Sequence, residues 1–352
     1  MTIYGGELSI PLAMARCPKP FGSLTAYRSK LSFYRSGRDA LFAIFNTVRP
    51  RRIWLPELVC FSVWHCAREA APVLMYGIEE DLSVATDSLH AKVVAGDLVL
   101  FIATLGSAVD SLLEKFRSGP AYLVADVTHS LVDERHLTRC ARNADAMIAS
   151  LRKTFPLPDG GVAWVKDGIL PHPIPADETD PFILHRAAGL MARSLELESG
   201  RDDGVNLRML QQAERLLDQA PALGQAMSDI SSELLDRIDL RWMARRTRLN
   251  RQRLLQELQT LPRIRIVSDP EAIATYLPLV FENVQDRNAL RLALRRRGVF
   301  CPVHWPTDFL DVPHTLSLRM LSVPCDARYD PKDMEELSQI ILEEANALSI
   351  GL

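Results

Sequence analysis

From residue 37 to residue 165, short apolar runs alternate with amphipathic stretches, and this alternation limits the possible folds more than any other feature of the chain. Parallel strands joined by crossover helices produce such a pattern. Most of the runs lack polar alternation, as strands do when both faces of their sheet are covered. Helices are predicted to begin near Gly37, Phe61 and Asp110. The predicted strands are 53–55, 73–76, 98–103, 121–125, 146–149 and 162–165. This part of the chain is therefore predicted to be an α/β sheet domain.

The remainder of the chain has a different pattern. The segment GILPHPIPADETD carries three prolines and predicts a surface excursion, because proline removes a backbone donor. Two long helical stretches are predicted at 206–219 and 229–261, and an α+β pattern follows. That pattern has strands at 264–267, 276–281 and 299–302 and helices at 287–297 and 331–348. We predict two domains, residues 1–225 with the sheet and the N-terminal segment, and residues 226–352 with a linking helix and a small α+β domain.

Charge and cysteine content exclude several classes of partner. The 352 residues carry 41 Lys and Arg against 44 Asp and Glu, a formal net charge of −3, so no global field would draw the chain to nucleic acid or an anionic membrane. A small-molecule partner is predicted instead. Six scattered cysteines without a C-x-x-C pair, no recognisable leader and no apolar run long enough to span a bilayer predict a cytoplasmic protein. The cysteines are Cys17, Cys60, Cys66, Cys140, Cys301 and Cys325.

Motifs of the common enzyme classes are missing from the chain. It has no G-x-S-x-G, H-E-x-x-H, G-x-x-x-x-G-K-[ST] or G-x-G-x-x-G segment. The eight histidines are dispersed and lack the spacing with which a helix presents two ligands to a metal, so no metal site is predicted. The arginine-rich segment RWMARRTRLNRQR is flanked by acidic residues, which favours a solvated helix face over a nucleic-acid site.

Three segments at the ends of predicted strands carry the remaining chemistry. They are FYRSGRDALFAIF, YLVADVTHSLVDE and ASLRKTFPLPDGG. Together they resemble the fold type I enzymes that use pyridoxal 5'-phosphate (PLP), and most of all the DegT/DnrJ/EryC1/StrS aminotransferases. The tail, CPVHWP followed by LSLRMLSVPCDARYDPKDMEEL, also resembles that family's C-terminal domain, so the similarity covers nearly the whole chain. The resemblance implies a large, mostly parallel-sheet domain, a smaller C-terminal α+β domain, and PLP as cofactor.

Lys153, Asp126 and His129 match the family's catalytic positions. By resemblance, Lys153 is the lysine that forms a Schiff base with PLP, for which its amine must be neutral. Asp126 follows the strand at 121–125, where a buried carboxylate would keep the pyridine nitrogen protonated. His129 would orient Asp126, and packing alone is the alternative. For Lys153 and Asp126 the alternatives are a surface lysine in a turn and a carboxylate that caps the next turn.

Two further groups of residues are candidates for cofactor contacts. Ser36, Gly37 and Arg38 open the first helix, whose N-terminal N–H groups would bind the phosphate, although Ser36 could equally be only an N-cap. Because related proteins usually have a small residue at Arg38, its backbone is the better candidate. Ser150, just before Lys153, is a second phosphate candidate.

The aromatic residue that stacks on the cofactor ring in related proteins is missing from its usual place. In LPELVCFSVWHC, Cys60 stands at that position and Phe61 beside it, and Phe61 could instead belong to the core. His304 in CPVHWP would face the substrate, or pack against Trp305. The segments 204–209 and 225–235 resemble loops that reach a neighbouring subunit, but helix packing is the preferred interpretation of both.

The resemblance implies a PLP-dependent aminotransferase. Lys153 would move a proton while an amino group passes from a small-molecule donor, glutamate in this family, to a keto acceptor such as a keto-sugar. Another PLP reaction, of the lyase or dehydratase kind, is an alternative, although the dehydratase branch carries histidine in place of the lysine. A non-catalytic binding or regulatory protein is a second alternative, which the missing stacking residue favours. A homodimer is expected, because the sheet domain supplies only one wall of the pocket.

Overall fold

A computed structural model describes residues 3–10, 31–106, 109–167, 169–200, 204–259, 261, 263–267, 272–311 and 314–348. Cys17 lies outside the described residues. The other five cysteines are free thiols. Among the described helices, none is long and apolar enough to cross a membrane.

A seven-stranded sheet forms the centre of the larger part of the molecule. Its strands are β2 (Ser32–Tyr34), β3 (Arg52–Pro56), β4 (Val73–Tyr76), β5 (Asp97–Ile102), β6 (Tyr122–Asp126), β7 (Ala146–Ser150) and β8 (Gly161–Val165). The strand order is β2-β8-β7-β6-β5-β3-β4. Neighbouring strands from β4 to β7 pair in parallel, and β8 is antiparallel to both β7 and β2. Each of the six predicted strands is confirmed, and β2 is an additional strand that was not predicted.

Both faces of this sheet are covered by helices. Within β5, Val99 and Phe101 belong to one hydrophobic core while Leu98 and Leu100 belong to another, because successive side chains point to opposite faces. The strand therefore reads as a continuous apolar run, as the sequence predicted. The helices that follow the strands are α1 (Gly37–Val48), α2 (Phe61–Ala70), α3 (Thr86–His90), α4 (Val109–Phe116) and α5 (Glu134–Asn143).

The helical region after the sheet differs from the prediction in two ways. The helix predicted at 229–261 is two helices, α8 (Asp229–Leu235) and α9 (Leu240–Leu258). The break occurs because Asp239 caps α9, with its carboxylate accepting a bond from the N–H of Trp242 at 3.0 Å. The helix α6 (Pro181–Ser199) was not predicted, although an Asp180 cap and a proline at its first position mark its start. It packs along α7 (Val205–Gln219).

The C-terminal part is built on a second, antiparallel sheet of order β12-β10-β9. Its strands are β9 (Ile264–Ile266), β10 (Tyr276–Phe281) and β12 (Met320–Pro324), of which β12 was not predicted. The helices α10 (Val284–Arg296), α11 (Thr315–Arg319) and α12 (Pro331–Ala347) accompany it, and Leu254, Leu279 and Leu321 share its separate core. The predicted α+β character is confirmed, whereas the domain boundary at 225/226 stays a prediction.

The N-terminal residues pair with the C-terminal part. The strand β1 (Tyr4–Gly5) runs parallel to β11 (Val299–Phe300). A Cβ atom on Gly5 would lie 1.9 Å from the carbonyl oxygen of Phe300, so only glycine allows the two backbones to approach this closely. The hydroxyl of Tyr329 accepts a bond from the N–H of Gly5 at 2.7 Å. The first described residues are thereby fixed beside the C-terminal sheet.

Candidate functional site

Two adjacent parallel strands bring Asp126 and Lys153 to one edge of the large sheet. Asp126 ends β6, and its register partner in β7 is Ile148. β7 ends at Ser150, and a single 3₁₀ turn, Leu151–Lys153, follows it directly. The carboxyl ends of neighbouring parallel strands meet at the same edge, which is the usual ligand location in open α/β sheets. The aspartate and the lysine that the sequence analysis selected therefore belong to one site.

The carboxylate of Asp126 is buried and has no cationic partner among the described residues. The residue is 6% exposed. Its Oδ1 accepts bonds from the N–H of Thr128 at 3.0 Å and from the hydroxyl of Thr128 at 2.6 Å. Burial raises the pKa of Asp126 despite these two bonds. Thr128, and not His129, orients the carboxylate, so the role expected of His129 falls to a residue that the sequence analysis did not select.

Lys153 lies at a cavity of about 710 Å³, which Arg152, His129, Tyr276 and His304 also line. The side chain reaches solvent through this cavity and makes no hydrogen bond or ion pair with any described residue. The positive charge of Arg152, and then burial, lower the pKa of the Lys153 amine. The expected electropositive environment is therefore present at a side chain that is exposed to solvent, and it favours the neutral amine that attacks an aldehyde.

A charged network connects the lysine turn to the helical pair α6 and α7. The guanidinium of Arg152 binds both carboxylate oxygens of Glu214, at 2.6 and 3.1 Å. Arg186 donates to the same carboxylate at 2.9 Å and lies 3.6 Å from Glu7. Burial would raise the pKa of Glu214, but the charges of Arg152, Lys153 and Arg186 lower it to about 2. Glu214 therefore stays ionised and holds Arg152 in a fixed position behind Lys153.

The N-terminus of α1 lies against the ends of β7 and β8. A Cβ atom on Gly37 would lie 3.2 Å from the Cβ of Ser150, and one on Gly161 would lie 2.1 Å from the carbonyl oxygen of Ser36. These contacts place the first N–H groups of α1 beside Ser150, at the same sheet edge as Lys153. A helix N-terminus with glycine close by is a favourable site for phosphate.

The side chains of Ser36 and Arg38 are occupied by contacts within the protein. Ser36 is the N-cap of α1, accepting from the N–H of Asp39 at 3.2 Å and donating to the Asp39 carboxylate at 2.6 Å. Arg38 pairs with Asp218 at 3.2 Å, which directs its guanidinium toward α7. The backbone at these positions thus remains the better candidate for a phosphate contact.

Cys60 and Phe61 have different surroundings. Cys60 is half-buried beside Asp126 and Lys153, whose charges both act on its thiol, while burial is the main reason why the pKa of Cys60 is raised. Phe61 is 50% exposed and stacks on His65 of α2 with a centroid separation of 5.4 Å. Both residues line an outer hollow of about 490 Å³ that also contains Trp305 and Phe309. Only Cys60 lies next to the catalytic candidates.

Rings from three distant segments cluster above the sheet edge. His129 lies 5.3 Å from His304 and 5.5 Å from Trp305, and Tyr276 lies 4.9 Å from His304. Burial and the charge of Lys153 lower the pKa of His129 to about 4, and burial also lowers that of His304. Nδ1 of His304 lies 2.9 Å from the Ser322 hydroxyl. Both imidazoles are therefore neutral at physiological pH.

Several residues of this site were not found by sequence reasoning. Thr128 lies within the quoted aspartate segment, and a hydroxyl two residues after a strand-end aspartate is a signal that could have identified it. Arg186, Glu214 and Tyr276 come from separate elements, and no local pattern in the sequence marks them. No group of three His, Cys, Asp or Glu side chains suited to a metal ion occurs in the described part of the chain.

Comparison with solved structures shows the fold of the chain. PseC of Helicobacter pylori, an aminotransferase involved in the biosynthesis of pseudoaminic acid, superimposes with a TM-score of 0.68 at 11% identity, over 98% of this chain and 100% of that one. The aminotransferase TlmJ of Streptoalloteichus hindustanus gives a TM-score of 0.65 at 14% identity, over 99% and 100%. A provisionally assigned sugar aminotransferase of Streptococcus pneumoniae, in its PLP form, gives 0.62 at 13%, over 98% and 93%.

The sequence itself matches no family model and no curated protein. At these identities the structural similarity establishes a common architecture and not a common reaction. The chain therefore has the fold of type I PLP-dependent transferases, with a large, mostly parallel sheet and a smaller α+β part, as the sequence predicted.

Proposed function

We propose that this protein is a PLP-dependent aminotransferase that moves an amino group from an amino acid, glutamate in our proposal, to a keto-sugar or related carbonyl compound. The observation that carries the proposal is the pairing of two uncompensated groups at one sheet edge. Asp126 is a buried carboxylate without a described cationic partner, and Lys153 is an unpaired amine beside Arg152. A pyridinium with an aldehyde would satisfy both groups at once.

The residues at the sheet edge fit PLP in chemistry and in position. Asp126 would hold the pyridine nitrogen, Lys153 would bind the aldehyde carbon, and the N–H groups that start α1 would bind the phosphate together with Ser150. When bound, the cofactor would supply an electron sink for the negative charge that develops at the amino-acid α carbon.

The proton transfers would fall to side chains of this chain. As a free amine, Lys153 would be placed to accept the proton that leaves the α carbon of the amino acid and to hold it for return. The nearby charge of Arg152 lowers the pKa of the Lys153 amine, which favours the neutral form that can act as a base. Asp126 would hold the ring nitrogen in its protonated form through direct contact, and Thr128 would fix the carboxylate for that contact. Neutral His129 and His304 would line the substrate side of the cavity. Being uncharged, they would not repel the protonated ring nitrogen.

The choice of a sugar acceptor is supported by the solved structures that have a similar fold. One of them is described as a sugar aminotransferase and another acts in the biosynthesis of pseudoaminic acid. The cavity volume of about 710 Å³ is sufficient for a cofactor together with a small substrate. We propose the acceptor class on these grounds.

We further propose that the working unit is a homodimer. On α6, Leu184, Met191 and Leu195 are all more than half exposed and follow one helix face, and Leu207 of α7 is 52% exposed. Such a stripe on the outer face of a helix pair is suited to contact with a second copy. Sedimentation across a dilution series would test this proposal, and a monomer that keeps full activity would contradict it.

The decisive experiment compares Lys153→Ala with Lys92→Ala, a matched substitution at an exposed lysine outside the site. Wild type and Lys92→Ala should bind PLP with a yellow absorbance, and borohydride should fix the cofactor to the chain. Lys153→Ala should lose both properties, and with them all glutamate-dependent transamination of keto-sugars, while keeping its circular dichroism. Peptide mapping would locate the reduced adduct.

Two results would reject the proposed function. The first is failure of the wild-type protein to bind PLP at all, and the second is an adduct that maps to a lysine other than Lys153. Binding of PLP without exchange of the glutamate α proton would retain the cofactor site and reject transamination.

A further inference from the structure

The pyridine ring of PLP needs a hydrophobic surface against at least one of its faces. With Asp126 at one end of the ring and Lys153 at the other, Cys60 is close enough to both residues for their charges to act on its thiol. A thiol covers much less of a six-membered ring than an aromatic side chain does. An additional ring must therefore reach this place from another part of the chain if the cofactor is to be held tightly.

Phe61, the aromatic residue nearest to Cys60 in sequence, packs against other rings of the protein. One face of its ring stacks on His65, with an interplanar angle of 12°. Its ring also lies 5.4 Å from the ring of Phe309 and 5.8 Å from that of Trp64. These contacts hold Phe61 in the outer hollow, where half of its surface is exposed.

Trp305 approaches Cys60 from the C-terminal part. Its indole lines the outer hollow together with Cys60, and lies 5.5 Å from the ring of His129, which follows Asp126 by three residues. The indole is partly buried, and it packs against the cluster of Leu58, two residues before Cys60. The contacts hold it in position before any ligand binds, so little side-chain entropy would be lost on binding.

We propose that Trp305 is the aromatic residue against which the PLP ring packs. It would replace the stacking aromatic residue that related proteins have at the strand-end position of Cys60. The inference rests on the proposed function, because it assigns a contact to the cofactor of that same site. It also gives the C-terminal part a direct role in binding the cofactor, since Trp305 comes from beyond β11. Trp305 thereby couples cofactor binding to the placement of the C-terminal sheet.

Tyr276 is the other ring close to the site, and its position is different. It lies 4.9 Å from His304 and 6.3 Å from His129, and it lines the inner cavity with Lys153, not the hollow with Cys60. Tyr276 is therefore placed toward the substrate side of the site.

The test measures PLP affinity by absorbance titration in four variants, with urea unfolding as a check of the fold. Trp305→Leu should weaken PLP binding about tenfold, since loss of an aromatic contact costs about 1.4 kcal/mol, and Trp305→Phe should restore most of the affinity. Phe61→Leu should bind within about twofold of wild type. Adding Cys60→Phe to Trp305→Leu should recover binding, because it puts a ring back at the strand end.

A second measurement avoids any loss of stability in the leucine variant. In protein labelled with 5-fluorotryptophan, the Trp305 resonance, assigned by its absence in Trp305→Phe, should shift when PLP is added. The resonance of Trp242, which lies on the exposed face of α9, should stay unchanged.

The outcomes separate this inference from the proposed function. Wild-type affinity in Trp305→Leu, an equal loss in Phe61→Leu, or an unmoved Trp305 resonance would each overturn the role of Trp305 while leaving the PLP site at Lys153 in place. A wild-type protein that binds no PLP would remove both proposals together.

Discussion

The two walls of the candidate site are built from different kinds of chain segment. The sheet-edge wall, made of Asp126, Ser150 and Lys153, comes from two consecutive strands of one sheet. The facing wall, made of Arg186, Glu214, Tyr276, His304 and Trp305, comes from elements spread over the second half of the chain. The sheet-edge wall carries the groups that would react, whereas the facing wall supplies charge, ring surface and enclosure.

This difference teaches which properties are local. The residue that follows a parallel strand lies at the edge of the sheet, whatever packs against that edge. The position of the sheet-edge wall is therefore determined by the ends of its strands alone. The facing wall exists only after α6, α7 and the C-terminal sheet have packed. Changes in the sheet-edge wall should therefore affect chemistry with little loss of stability, and changes in the facing wall should affect stability first.

The largest effect is expected from Asp126→Asn. The amide has nearly the same shape but cannot hold a pyridinium proton, so we expect PLP to stay bound while transamination falls by about a hundredfold or more. Steady-state rates and a cofactor titration would be measured on the same preparation. Asp308→Asn, at an exposed carboxylate of the outer hollow, should leave both properties unchanged. Normal turnover in Asp126→Asn would remove this residue from the mechanism.

The second prediction concerns the stability supplied by the facing wall. Glu214→Gln leaves the buried guanidinium groups of Arg152 and Arg186 without their shared carboxylate. Breaking a fully buried pair costs roughly 3–5 kcal/mol. Since Glu214 is 34% exposed, solvent screening reduces our expectation to about 2 kcal/mol. Urea unfolding would measure it, and Glu335→Gln, at an exposed partner of Arg253, should change stability by less than about 0.5 kcal/mol.

The same substitution predicts a pH dependence with a defined sign. The pKa of Glu214 falls from its ordinary 4.5 to about 2 on folding, so the ionised carboxylate stabilises the fold above pH 4.5. The stability difference between wild type and Glu214→Gln should shrink as the pH falls from 4.5 toward 2. A difference that stays constant over this range would show that the charge of Glu214 is not what stabilises the network.

A smaller effect is expected from Thr128→Val, which keeps the side-chain volume and removes the hydroxyl. The bond to Asp126 at 2.6 Å and the bond from the N–H of Ser150 at 3.0 Å are both lost. Because the first of these bonds favours the ionised carboxylate, its loss should raise the pKa of Asp126 and move the acidic limb of the rate profile to higher pH. We expect a rate loss of about tenfold and a stability loss of about 1 kcal/mol. Thr138→Val, on the exposed face of α5, provides the control.

The sequence predicted most of the fold, but only some of the residues that form the candidate site. Strand periodicity located every strand of the large sheet except β2, whereas Asp126 and Lys153 were selected by resemblance to a known family. Helix α6 was missed because Asp180 and Pro181, its cap and first residue, look like the end of a proline-rich loop. Arg186 and Glu214 could not be assigned, since their proximity to Lys153 depends on packing between elements far apart in sequence. Thr128 was overlooked because His129 beside it matched the family pattern.

The pairing of β1 with β11 has a consequence for the order of events during synthesis. All strands of the large sheet lie between residues 32 and 165, so this sheet has its complete set of strands while the ribosome is still translating the second half. Tyr4 and Gly5, although translated before the strands of the large sheet, have no pairing partner until Val299 and Phe300 emerge. Glu7, which contacts Arg186, lies just after this strand. Residues that precede the large sheet are thus fixed after it, and the electrostatic setting of Lys153 is completed only when β1 has paired with β11.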